Sequence, residues 1–112
     1  MKRKIYLLLL MIVLTLTGSG QSLRIALLKY GGGGDWYADP TALPNLISFS
    51  NEHLGTNIHP IHDIVETGSS SIFNYPYIHM TGHGNVEFTD YDAQNLRNYL
   101  ISGGFLHIDD CY

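Results

Sequence analysis

Four side chains late in the sequence are of types that do chemistry: His83, held between Gly82 and Gly84, and the consecutive Asp109, Asp110 and Cys111. An imidazole flanked by glycines is little constrained. It suits a general base, a metal ligand or a hydrogen-bonding group toward a substrate, and it suits equally a histidine that bonds its own loop. Asp109 and Asp110 follow the strand-like run Phe105 to Ile108, and strand side chains alternate, so the two carboxylates point to opposite sides. One faces a crevice while the other caps loop amides. Carboxylates suit magnesium or calcium, and His83 with one aspartate suits zinc or manganese. Two or three ligands are too few for a metal centre, and none is expected. Cys111 is the single cysteine and has no partner within the chain for a disulfide. No Gly-x-Cys-x-Gly elbow surrounds it, and a lone cysteine is most often a small buried hydrophobe. It becomes a nucleophile only if His83 comes within hydrogen-bond reach. The catalytic candidates are therefore His83, Asp109 and Cys111.

A second group precedes them. Gly31, Gly32, Gly33 and Gly34 follow an apolar run and lead into Asp35 and Trp36. No Gly-Lys-Ser/Thr follows, which excludes a Walker loop, and Trp36 stands where a dinucleotide fingerprint has its third glycine. Four glycines still demand unusual dihedrals or a close backbone approach, to a ligand or to a neighbouring loop. Trp36 and Tyr37 offer a flat face to a sugar ring, or cover the end of a sheet as ordinary packing. The ligand-binding candidates are Gly31, Gly32, Gly33, Gly34, Asp35, Trp36, Gly82, His83, Gly84 and Asp110. His79 and His107 fall inside strands and read as buried, satisfied histidines. His53, His59 and His62 carry no usable spacing.

The elements between these groups decide whether they can meet. Leu23 to Leu28 is apolar apart from Arg24 and reads as a strand buried on both faces. Thr41 is an N-cap, Pro44 lies in the first turn, Leu43, Leu46, Ile47 and Leu54 form an apolar stripe, and Gly55 ends the helix. Ile58 to Val65 holds a short strand despite Pro60. Thr67 to Ser71 is a loop leading into one helical turn before Tyr75-Pro76. Tyr77 to Thr81 is a strand. Thr89 and Asp92 make a capping box, Ala93, Leu96, Leu100 and Ile101 the stripe of a second helix, and Gly103-Gly104 its stop. The connections are long and carry no two-residue hairpin signal, which predicts a mostly parallel, three-layer α/β sheet. Ligands of such sheets bind beyond the carboxyl ends of the strands, so the glycine run, the His83 turn and the Asp109 to Cys111 cluster share one rim.

KYGGGGDWYADPTALPNL at Lys29 to Leu46, TGHG at Thr81 to Gly84 and LRNYLISGGFLHIDDCY at Leu96 to Tyr112 resemble, in that order, the bacterial family of domain of unknown function 4159. The resemblance implies a class I glutamine amidotransferase-like or flavodoxin-like architecture and leaves the activity undefined. Family members ordinarily continue for roughly another hundred residues, as completing a domain requires. By that comparison the chain is the N-terminal half of a larger domain, and any site partner from the second half is absent.

Lys2, Arg3 and Lys4, the apolar run Ile5 to Leu16 and the small polar stretch to Gly20 have the layout of a secretory signal. The run is shorter than the roughly 20 residues a spanning helix needs. Residues 1–20 are thus expected to be an export segment, the only membrane contact, and residues 21–112 an exported α/β domain. That remainder holds three basic against ten acidic residues. It repels phosphate backbones, which argues against a nucleic-acid partner. The leading expectation is a domain that binds a small polar or carbohydrate-like ligand at the sheet's carboxyl edge. The alternatives are a hydrolase or transferase using His83 with Asp109 or Cys111, and a cell-envelope interaction scaffold. No cofactor is indicated.

Overall fold

The computed structural model describes Met1 and residues 20–111. Along them run β1 (Ala26–Lys29), α1 (Ala42–His53), β2 (Asp63–Glu66), a 3-10 turn (Ser70–Asn74), β3 (Tyr77–Gly82), α2 (Asp90–Ile101) and β4 (Phe105–Asp110). The export segment expected over residues 1–20 falls almost wholly outside the described residues. No described helix is long and apolar enough to cross a membrane.

The four strands form one sheet in the order β2-β1-β3-β4, with every pairing parallel. This is the mostly parallel α/β arrangement that the long connections predict. Alternation along β1 divides the core in two. Ala26, Leu28 and Tyr30 face one side with Ile78, Met80, Val65 and Ile72, where Leu96 and Tyr99 of α2 cover them. Ile25 and Leu27 face the other side, where Leu43 and Ile47 of α1 pack on them. Three layers result.

Both helices start where the sequence places them, by different means. Thr89 accepts from the Asp92 amide while the Asp92 carboxylate accepts from the Thr89 amide, a complete capping box. Thr41 occupies the N-cap of α1 but makes no side-chain cap bond. Gly55 follows α1 at φ +64° and Gly103 follows α2 at φ +99°, the left-handed stops expected of them.

Several expected positions are corrected. The buried stripe of α1 is Leu43, Ile47 and Ser50, while Leu46 and Leu54 are exposed. That of α2 is Leu96 and Tyr99, while Ala93, Leu100 and Ile101 are exposed. Each helix lies on a narrow sheet and buries one line of side chains rather than a broad face. β1 proper begins at Ala26, with Leu23 in an isolated bridge to Ile58, and β2 begins only at Asp63, after Pro60 has interrupted the ladder. β4 pairs with β3 along one edge, and Phe105 and Ile108 are 58% and 60% exposed on its two faces.

Candidate functional site

The strand order reverses between β1 and β3: the chain leaves β1 toward β2, then crosses back to β3 and on to β4. In open parallel sheets that reversal opens a crevice at the carboxyl ends. The loop following β1, the turn following β3 and the end of β4 all come to this place.

The glycine run is joined to the His83 turn by main-chain bonds. The Gly34 amide donates to Asn85 O (2.9 Å), the Asp35 amide to His83 O (3.0 Å) and the Glu87 amide to Gly31 O (2.9 Å). A Cβ on Gly34 would lie 2.6 Å from Asn85 O, and one on Gly32, at φ +100°, 2.7 Å from the Glu87 nitrogen. The close approach that these two glycines permit is therefore to residues 83–87, the second of the two sequence readings. Gly33 and Gly84, both at positive φ, meet no backbone so closely. Trp36 packs against both core layers and meets Tyr37 edge-on, with Tyr37 64% exposed.

Asp35 fixes His83. One carboxylate oxygen accepts the His83 amide hydrogen and the other lies 3.1 Å from its Nδ1. An ionised carboxylate can only accept, so Nδ1 carries the hydrogen, and in the neutral ring Nε2 keeps a lone pair on a side chain that is 55% exposed. A carboxylate that orients an imidazole in this way selects its tautomer. The amide bond from His83 first, then its ring, hold the Asp35 carboxyl below the usual carboxylate range. A depressed carboxyl stabilises the fold above its unfolded pKa and loses that contribution as pH falls through its folded value. Asp35→Asn is therefore expected to be less stable than the parent at neutral pH. The difference should shrink as pH falls through the lowered folded pKa of that carboxyl, which urea melts at neutral pH and at successively lower pH will check.

Cys111 lies on the other side of the crevice. Its thiol donates to Asp39 Oδ2 at 3.3 Å. Having one hydrogen to give, it accepts from the Thr81 hydroxyl, also 3.3 Å away. Neither partner is the cationic neighbour that activates a thiol, and no hydrogen bond joins His83 to Cys111 or Asp109 among the described residues. Register places Asp109 opposite Thr81 and Asp110 opposite Gly82. By alternation Asp109 shares the α1 side of the sheet with Thr81 and Cys111, while Asp110 faces the α2 side. Under the rim, buried Tyr30 donates to Thr81 O at 3.0 Å. Burial raises its phenol pKa, and the nearby Asp35 and Cys111 add to this. Tyr30 thus stands beneath both halves of the site.

Two histidines differ from expectation. His107 is exposed and its Nδ1 pairs with the Tyr77 hydroxyl at 2.7 Å. His79 is buried, but neither ring nitrogen has a partner. Burial lowers its pKa, as do His107 and His62, while Asp109 and Asp39 oppose the shift. Asp39, which the sequence reading did not single out, holds a left-handed backbone at φ +55°. Its only sequence signal is its place four residues beyond Asp35 in the same loop.

Beside the rim, a hollow of about 450 Å³ opens at the ends of β1 and β2, lined by Lys29, Gly31, Glu66, Thr67 and Asp92. Lys29 and Glu66 pair across it at 2.9 Å. Its size falls within the range of small-molecule sites. Among the described residues no group of three or more His, Cys, Asp or Glu side chains is placed to hold a metal ion.

The sequence profile of the family described as a domain of unknown function (DUF4159) matches residues 24–112, so the chain belongs to that family. No curated protein matches it.

Proposed function

We propose that this member of the DUF4159 family is an exported domain that binds a small polar or carbohydrate-like molecule at the carboxyl edge of its sheet. His83 Nε2 is the principal contact, and Asp35 holds it in place. The observation that carries this reading is the Asp35–His83 pair at the strand-order reversal, an oriented imidazole on a side chain that is 55% exposed. The hollow at the ends of β1 and β2, with Lys29, Glu66, Thr67 and Asp92 on its wall, supplies donors and acceptors for a hydroxyl-rich ligand. Export rests on the basic and apolar layout of residues 1–20.

The alternative of a hydrolase or transferase receives the oriented base but no nucleophile bonded to it. The scaffold alternative is favoured by one feature, the apolar side chains left uncovered along β4.

Thermal melts with glucose, N-acetylglucosamine, ribose, magnesium and calcium test the binding reading. A ligand at about one hundred times its Kd adds about 2.7 kcal/mol to the folded state, so at least one probe should raise Tm by several degrees. His83→Ala should abolish that rise. A panel without any shift, or a shift unchanged in His83→Ala, contradicts the proposal.

A further inference from the structure

His79 sits in the middle of β3, in register with Leu27 of β1 on one side and His107 of β4 on the other. It is 5% exposed, yet neither ring nitrogen has a hydrogen-bond partner. Buried polar atoms are nearly always paired, so a pair of orphans on one ring calls for a physical account. The His107 ring meets that of His79 edge-on, 5.1 Å between centroids, and supplies no hydrogen bond. His79 also lines a small cavity with space of about 10 Å³, enough for roughly one water-sized sphere.

The wall of that cavity decides its occupant. Leu27, Pro40 and Leu43 are its apolar part, while Asp39, His62 and His79 bring a carboxylate and two imidazoles. A cavity of this size stays dry when its lining is wholly apolar, and holds a water when two to four polar groups border it. No group of three or more ligating side chains among the described residues is placed to hold a metal ion, so the occupant is not one. Asp39 is fixed in position: its carbonyl accepts the Ala42 amide hydrogen at 3.0 Å, its Oδ2 accepts the Cys111 thiol hydrogen at 3.3 Å, and its backbone is left-handed at φ +55°. His79 is fixed as well, by parallel pairing on both sides of its strand. Two polar groups held at the wall of a one-molecule gap, with no direct bond between them, meet through a water.

We propose that this cavity is a binding site for one structural water, which donates to the Asp39 carboxylate and hydrogen-bonds one ring nitrogen of His79, with His62 as its third neighbour. The site is distinct from the ligand crevice around His83. It joins the loop after β1 to the centre of β3, and that loop also carries Asp35, the residue that orients His83. The water is thus a fastening beneath the rim, and no reacting group of its own.

Water–protein NOE and ROE spectroscopy of the full chain tests this. Leu27 and Leu43 line the cavity and their methyl groups carry no exchangeable hydrogen, so a peak between those methyls and the water resonance reports a molecule inside. The expected result is NOE and ROE peaks of opposite sign, the mark of a water held in place. His79→Phe, which keeps a ring and removes both nitrogens, should lose these peaks. Asp39→Gly should lose them too, since glycine suits the left-handed backbone and removes only the carboxylate. A second measurement needs no variant: a crystal structure of the parent chain should show one water roughly 2.7–3.2 Å from a His79 ring nitrogen and from an Asp39 oxygen. Absence of the peaks in the parent, peaks unchanged in either variant, or a side chain bonded directly to His79 in the crystal overturns the proposal.

Discussion

Gly82→Ala is expected to destabilise the fold by about 2–5 kcal/mol, combining the strain of a forbidden backbone conformation with overpacking. Gly82 ends β3 at φ +139°, a region L side chains rarely adopt. A Cβ there would collide with the Tyr30 hydroxyl and lie 2.8 Å from Asp35 O. Neither neighbour can yield cheaply. Tyr30 is buried and bonded to Thr81 O, and the Asp35 amide is bonded to His83 O. Urea denaturation measures the loss. The substitution should also separate Asp35 from His83, so the variant should lose ligand-induced stabilisation at temperatures where it is still folded. A change under about 0.5 kcal/mol, the ordinary range for surface substitutions, would mean that the two loops do not meet over this glycine.

Tyr99→Ala is the other large effect, expected to cost about 3–5 kcal/mol, as aromatic truncations in cores do. The side chain is 1% exposed. Its hydroxyl lies 2.9 Å from Tyr75 O and 3.1 Å from Phe105 O, and accepts the Phe105 amide hydrogen at 3.1 Å. It thereby ties α2 to the segment before β3 and to the first residue of β4. Gly104 is flush against its ring, where any Cβ would enter the ring itself. Tyr99→Phe keeps the packing and removes the bridge, so a smaller loss of about 1–3 kcal/mol is expected from the carbonyls left unpaired. Native domains have only about 5–15 kcal/mol in all. The alanine variant should therefore melt far below the parent, and its β4 should come away first, taking Asp109 and Cys111 from the site. Equal melting of the alanine and phenylalanine variants would show that the ring contributes nothing beyond its hydroxyl.

What the sequence makes legible, and what it hides, follows from range. Thr89 with Asp92, and glycines 55 and 103 as stops, act within one turn of chain, and their roles are written locally. The parallel sheet follows from connection lengths and the absence of hairpin turns. Leu46, Leu54, Leu100 and Ile101 satisfy helical periodicity but are exposed, because periodicity reports which side chains are apolar and not how wide a surface exists to cover them. The glycine run announced a close approach without naming its partner; residues 83–87 are fifty positions away. The isolation of His79 is less legible still. Whether a buried imidazole finds a partner depends on where Asp39, His62 and His107 come to rest, and those belong to three other segments.

The arrangement of His83 is the claim on which the functional reading turns, and long-range proton–nitrogen NMR of its imidazole tests it most directly. With Asp35 accepting from Nδ1, the neutral ring should be found as the Nδ1–H tautomer with Nε2 unprotonated, and Asp35→Asn should weaken that preference. Addition of the stabilising probe should move the Nε2 resonance. A ring found chiefly as the Nε2–H tautomer, or an Nε2 resonance unmoved by a probe that raises Tm, would contradict it.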